Sequence, residues 1–167
     1  MFDEFLTDNL SIRPINLGDS EFVLELVNSP GWLEFIGDRN VKSKEEAYRY
    51  IENLLSRKVA YFVVYWEIKK VSIGIITYLK KPYLDYSDIG FAFLPQYSGL
   101  GFAYESCLAF LEKIIKTQSP RKILATTLPS NLRSKALIQK LGFQFEKMIL
   151  LDGKSLELYG LDNLSGR

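Results

Sequence analysis

At 167 residues and 47% hydrophobic content, the chain suits one domain that buries roughly two thirds of the surface its unfolded form exposes, with no need of a disulfide or metal staple. Lys and Arg number 21 against 20 Asp and Glu, a net charge of +1, too balanced to point to a phosphate backbone, so nucleic acid is set aside as a partner. Histidine is absent, which removes the commonest acid-base group, the usual triads and every His-containing metal site; any chemistry must come from carboxylates, hydroxyls, backbone amides or a cofactor, and no metal is expected.

In chain order, LSIRPI (10–15) alternates like a strand, and Asp19 opens a short helix, DSEFVLELVN, that Pro30 and Gly31 stop. Ser43 and Glu46 form a capping box ahead of a second helix with Ala47, Tyr50, Ile51, Leu54 and Leu55 on one face. AYFVVYWEI (60–68) and VSIGIITYL (71–79) read as an antiparallel hairpin turning at Lys69-Lys70. A loop, KKPYLDYSD, leads to the strand DIGFAFL (88–94), which Pro95 ends because it has no N–H to donate. A third helix (101–116) turns Ala103, Cys107, Phe110, Leu111, Ile114 and Ile115 inward. Strand KILATT (122–127), the turn LPSN and a fourth helix from Asn131 to Leu141 follow, the helix stopping at Gly142, a left-handed cap. FQFEKMILL (143–151), an Asp152-Gly153 turn and SLELYG (155–160) close as a hairpin. No repeat, linker or low-complexity segment interrupts this order, which describes one layered α+β domain with a mixed sheet. Cys107 has no internal disulfide partner, the start MFDEFLTDNL lacks the features of a secretory leader, and no apolar run approaches the ~20 residues of a membrane helix. A cytoplasmic protein without a membrane partner is expected.

Between the strand and the third helix lies Gln96-Tyr97-Ser98-Gly99-Leu100-Gly101. Glycines at 99 and 101 permit a tight bend, and the helix that begins at once offers amides without intrahelical acceptors at the positive end of its dipole. Such a turn binds an anion of the phosphate kind; the plainer alternative is a strand-to-helix turn and nothing more. A Walker loop would need Gly-Lys-Ser/Thr where Gly101-Phe102-Ala103 stands. The dinucleotide fingerprint would need a glycine at Tyr104 and an acid about 20 residues later, and SPRKILA has none. ATP and NAD are both disfavoured.

The segment matches Q/R-x-x-G-x-G/A, and the chain resembles the GNAT N-acetyltransferase superfamily, specifically its RimJ/RimL-like branch. LSIRPI, FIGDRNVKSKEEAYRYI (35–51), DIGFAFLPQY, LPSNLRSKALIQKLGFQFE (128–146) and LELYG carry the likeness over nearly the whole chain. The resemblance implies a single N-acetyltransferase domain over residues 1–167, with a core of about 10–161. It also implies the GNAT fold: a mixed, mostly antiparallel seven-stranded sheet with splayed central strands and about four helices. The implied activity moves an acetyl group from acetyl-CoA to a primary amine, a protein N-terminus or a small amine, by direct attack. A silent acetyl-CoA-binding sensor is the alternative.

By the same resemblance, Phe91, Phe93 and Leu94 lend main chain to the pantetheine arm. Gln96, Ser98, Gly99, Leu100, Gly101, Phe102 and Ala103 wrap its end and the pyrophosphate. Asn131 hydrogen-bonds pantetheine, and Ser134 lies close to the cofactor sulfur, although LPSN is also an ordinary helix start. Arg133, Lys135 and Lys140 are candidates for the adenosine 3′-phosphate. Thioester aminolysis needs a neutral amine, an oxyanion donor and a protonated leaving group. Amides around Phe91 to Phe93 suit the second role and Ser134 the third. Asp88 is the candidate base, with Asp85 and Glu34 as alternatives, and a turn residue is the plainer reading of Asp88. Cys107, on the inward stripe, is a core residue rather than a nucleophile. The acceptor side draws on Trp32, Glu34, Phe35 and Asp85, with Tyr83, Tyr86 and Asp38 near, and ordinary packing is the plainer reading for at least half of these aromatics. The family's habit of pairing leaves a homodimer through the C-terminal hairpin open.

Overall fold

A computed structural model describes residues 3–163. In chain order the elements are β1 (Phe5–Leu6), β2 (Leu10–Pro14), a 3-10 turn (Leu17–Asp19), α1 (Ser20–Val27), α2 (Pro30–Phe35), α3 (Lys44–Ser56), β3 (Tyr61–Trp66) and β4 (Val71–Leu79). There follow β5 (Asp88–Phe93), a second 3-10 turn (Pro95–Tyr97), α4 (Phe102–Gln118), β6 (Lys122–Thr127), α5 (Leu132–Lys140), β7 (Gln144–Leu151) and β8 (Lys154–Asp162). The sheet is mixed and mostly antiparallel, as expected, and among the described residues holds eight strands rather than seven. The extra strand is β1, two residues long and so too short to show any period. The fifth helix is α2. Pro30 and Gly31 do end α1, but Pro30 then occupies the first turn of a new helix behind Ser29, where its fixed φ suits a helix start and its missing N–H costs nothing.

The chain divides into two units. The first runs to Thr77 and takes in Phe91–Ser106. Here β1 to β4 pair antiparallel in sequence order, with Ser11 opposite Tyr65 and Phe62 opposite Ile76, and Leu94 N donates to Ile73 O at 2.9 Å where β5 ends. Val23 and Leu26 of α1 and Ala47 and Ile51 of α3 meet Val63 and Ile75 of the strands in one core. Each such aliphatic side chain, fully buried, contributes about 1.5–3 kcal/mol. Asp19 does not cap α1 through its side chain. Its carboxylate forms a two-pronged pair with Arg13 (2.7 and 2.9 Å) and accepts from Asn16 N, tying the end of β2 to the start of α1. At α3, Ser43 Oγ accepts from Glu46 N as the capping box predicts, while Glu46 Oε2 reaches one residue further back, to Lys42 N.

The second unit comprises Tyr78–Gly90 and the chain from Cys107 onward. Asp88 pairs parallel with Leu124, β6 pairs antiparallel with β8, and β8 with β7. Asp152 and Gly153 both have positive φ (48° and 76°), the signature of the two-residue hairpin turn read from the sequence. Gly142 ends α5 at φ 94°, and Phe143 N reaches back to Ile138 O (3.2 Å) as in a Schellman cap. Leu84, Leu124 and Leu158 form a small core here, and Cys107 is fully buried.

Candidate active site

The glycine turn belongs to the first unit and is exposed from Ser98 to Gly101. Tyr97 N and Ser98 N close the preceding 3-10 turn onto Leu94 O and Pro95 O (both 3.1 Å), and Glu105 N donates to Gly101 O (3.0 Å). Among the described residues, no amide from Gly99 to Ala103 makes such a bond. The Ser98 amide, expected among the pyrophosphate donors, is therefore engaged by the turn itself; its hydroxyl is what it can offer. Gly99 and Gly101 lie at φ 76° and 83°, where a side chain is strained, yet a Cβ at either would meet no protein atom within 4 Å. Glycine is thus required by the backbone, and the space beside it is open.

Both ends of the turn are clamped on Trp66, the last residue of β3. The Tyr97 ring meets it edge-on at 6.1 Å, and the Phe102 ring lies tilted at 4.7 Å. Glu105, one turn into α4, accepts from Thr7 Oγ1 (2.5 Å), Asn9 N and Asn9 Nδ2 (both 3.0 Å), fixing the helix start to the β1–β2 turn. Burial alone would raise the pKa of that carboxyl, but the three donors together hold it below the usual 4.5. Sequence reasoning missed Trp66 and Glu105; an acid in a first helical turn was the only signal. Gln96 donates its side-chain amide to Glu25 (2.9 Å), and Leu100 stands 55% exposed.

Just past β5, Leu94 N donates to Ile73 O on β4 (2.9 Å); just before it, Ser87 O accepts from Leu124 N (2.9 Å). Among the described residues the parallel ladder has the one register pair, Asp88 with Leu124. Gly74 on β4 is needed for Phe93: a Cβ there would come within 2.3 Å of the Phe93 ring.

In the second unit, Asn131 caps α5, its Oδ1 accepting from Ser134 N (3.2 Å). The capping role is thus present, and Nδ2 remains as a donor. Ser134 is half-buried. Lys135 is held by Glu157 (2.9 Å), which also accepts from Tyr159 (2.6 Å). Asp88 differs most from expectation. It is 2% exposed, with Oδ2 held by Lys81 Nζ at 2.6 Å and Oδ1 buried without a partner. Burial pushes its carboxyl pKa up, against the pull of Lys81. A carboxylate at a strand start reads as a solvated turn residue; here the loop before β5 folds over it.

Of the acceptor-side residues, Trp32 must be corrected: it is 4% exposed, part of the core, with its indole N–H on Gly37 O (3.1 Å). Helix α2 turned inward what sequence reading left on a surface loop. Glu34 is exposed and Phe35 partly so. Asp85 is exposed and, with Tyr83, Tyr86, Lys122 and Glu146, lines a cavity of about 170 Å³ floored by Leu124 and Leu158. Among the described residues, no cluster of acids, His or Cys could hold a metal ion, and no helix is long and apolar enough to cross a membrane.

Among the described residues, a mixed sheet with the parallel pair β5–β6, in which β5 runs on into an exposed glycine turn and a helix start, has the features of an acetyltransferase fold. The chain belongs to the GNAT acetyltransferases, since the acetyltransferase (GNAT) domain matches residues 9–144. It is 27% identical over 140 residues, 84% of this chain and 82% of the relative, to the uncharacterized N-acetyltransferase YnaD of Bacillus subtilis strain 168. Its fold matches the ribosomal-protein-S5-alanine acetyltransferase of Vibrio fischeri (TM-score 0.80, 18% identity, 99% and 100% of the two chains). It also matches RimL, a ribosomal L7/L12 alpha-N-protein acetyltransferase solved with coenzyme A (TM-score 0.79, 17% identity, 95% and 96%). The family uses acetyl-CoA as its acetyl donor.

Proposed function

We propose that the chain, as one domain, is an N-acetyltransferase that moves the acetyl group of acetyl-CoA to a primary amine within a ternary complex. The observation that carries this reading is the run from Gly99 to Ala103, exposed as far as Gly101, whose amides engage no main-chain acceptor at the start of α4. The open space beside Gly99 and Gly101 fits a diphosphate. Phe102 and Ala103 extend the cradle into the helix, and Gln96, Ser98 and Leu100 flank it.

Acetyl-CoA supplies an activated acetyl group as a thioester, and this chain's residues do the rest. The main chain of Phe91, Phe93 and Leu94, with Asn131, orients the pantetheine arm. Amides of Phe91 and Phe93 donate to the thioester oxygen as its charge develops. Asp88 takes one proton from the acceptor ammonium on Oδ1, the neutral nitrogen bonds the acyl carbon, the C–S bond breaks as Ser134 donates its hydroxyl proton to the departing sulfur, and the second proton leaving the nitrogen restores the Ser134 hydroxyl. Glu34, Phe35 and Asp85 contact the acceptor. The acceptor class this reading favours is the N-terminal amine of a protein, by analogy with the alpha-N-protein acetyltransferase RimL, in a cytoplasmic setting.

The test is acetyl-CoA consumption with thiol release, run against N-terminal peptides and small amines. Acceptor-dependent thiol release is expected. Tight acetyl-CoA binding with no release across the panel would favour the sensor instead.

A further inference from the structure

The Asp88–Lys81 pair lies on no motif. Lys81 sits in the loop before β5, where Leu84 N donates to Lys81 O (3.1 Å) and Lys80 Nζ donates to Leu84 O, so the loop is closed on itself. Leu84 anchors it in the small core with Leu124 and Leu158. From that platform Lys81 Nζ reaches Asp88 Oδ2 at 2.6 Å, with the Tyr83 ring 6.0 Å away, and its own side chain is 31% exposed. The second oxygen, Oδ1, is buried with no partner. A loop pinned by an ion pair explains one engaged oxygen; it does not explain leaving the other without a donor, at a cost of about 1–3 kcal/mol or more.

We infer that Lys81 is a positioning residue: by occupying Oδ2 it holds Asp88 as a carboxylate and presents Oδ1 as the oxygen that receives the acceptor's proton. The inference rests on the reading of Asp88 as the base. On transfer, an ammonium N–H bond breaks, an O–H bond forms at Oδ1, and Lys81 is left facing a neutral acid until the proton leaves to solvent. Besides its own backbone amide, which with Lys81 favours the charged form, few other groups bear on Asp88. From the loop there are Lys81 and, behind it, Tyr83; from β6 its register partner is the apolar Leu124; from β4 the Tyr78 hydroxyl meets Ser87. Burial raises the Asp88 pKa and Lys81 opposes that rise. Removing an opposite charge this close moves a carboxyl by about 1–3 pH units.

The experiment is a titration of the Asp88 carboxyl carbon by NMR, assigned by its loss in Asp88→Asn, in wild type, Lys81→Met, Lys81→Gln and Lys81→Arg. It is paired with the pH profile of kcat/KM on whichever panel acceptor is acetylated. In Lys81→Met and Lys81→Gln both the carboxyl titration and the acid limb should move up by about one unit or more, while Lys81→Arg stays near wild type. Lys81→Gln keeps a donor without the charge and serves if Lys81→Met fails to fold. Limbs that stay put in both neutral variants, with activity lost uniformly across pH, would make Lys81 a loop anchor and overturn the inference. A wild type that acetylates nothing in the panel overturns the functional reading instead, and the carboxyl titration still reports whether Lys81 controls Asp88.

Discussion

Gly101 offers the sharpest test of the anion site, because two substitutions there separate backbone strain from charge. Its φ of 83° requires the left-handed region, and a Cβ would meet no protein atom within 4 Å. Gly101→Ala therefore carries only conformational strain, about 1–2 kcal/mol. For a chain of 167 residues that lowers Tm by about 2–8 °C. Gly101→Glu adds a carboxylate in the open space. Against two phosphate charges at about 5 Å the repulsion runs from about 2 kcal/mol at the dielectric of water to about 7 at an effective value of 20. The smaller figure already weakens acetyl-CoA about thirtyfold, and binding below detection is expected. Calorimetric titration of acetyl-CoA into wild type and both variants, with Tm recorded for each, provides the comparison. Gly101→Glu binding acetyl-CoA as wild type does, or Gly101→Ala losing as much as Gly101→Glu, would refute the claim that these amides grip a diphosphate.

Three further outcomes are expected. Ser134→Ala should lower kcat while the acetyl-CoA Kd is unchanged, in a direct comparison of turnover and calorimetry; normal turnover would remove Ser134 from the leaving-group role. Arg13→Met leaves Asp19, 5% exposed, as a buried charge without its two-pronged partner, a loss of about 3 kcal/mol read as a Tm drop of about 6–12 °C. Glu105, held below 4.5 by Thr7 and Asn9, contributes stability present above that pH and lost as pH falls through its lower folded value. Denaturant titrations should therefore show wild type losing its advantage over Glu105→Gln as pH drops below 4.5, and an unchanged gap would deny the carboxylate that role.

The elements were legible where one residue type is dictated locally. Gly99, Gly101, Gly142 and Gly153 all have positive φ, so each marked a turn that no other residue takes easily, and the periodic apolar faces of α3 and α4 followed. What escaped reading depended on tertiary proximity or on short segments. Pro30 both ends one helix and starts the next, and only the second role carries Trp32 into the core. Trp66 closes a strand like any aromatic residue, and nothing in the run YFVVYW says that it will receive Tyr97 and Phe102. Asp88 follows Tyr86-Ser87, which reads as turn chemistry, and its partner Lys81 arrives through loop closure rather than through a helical or strand spacing.

The donor and acceptor ends of the chemistry differ in kind. The proposed cofactor grip is made of main chain, with side chains only clamping its ends, so it tolerates almost any neighbour provided the glycines stay. Proton removal, as proposed, rests on one buried carboxylate and one lysine, so small changes there should alter pH dependence rather than cofactor affinity. The cavity lined by Tyr83, Asp85 and Tyr86 belongs to the same loop as Lys81. A substitution that enlarges or recharges it should change which amine is accepted, and, because that loop also holds the Asp88 partner, should shift the acid limb in the same variant. Separation of those two effects, with acceptor preference changing and the limb fixed in Asp85→Ala, would show that the loop's surface and its buried lysine act independently.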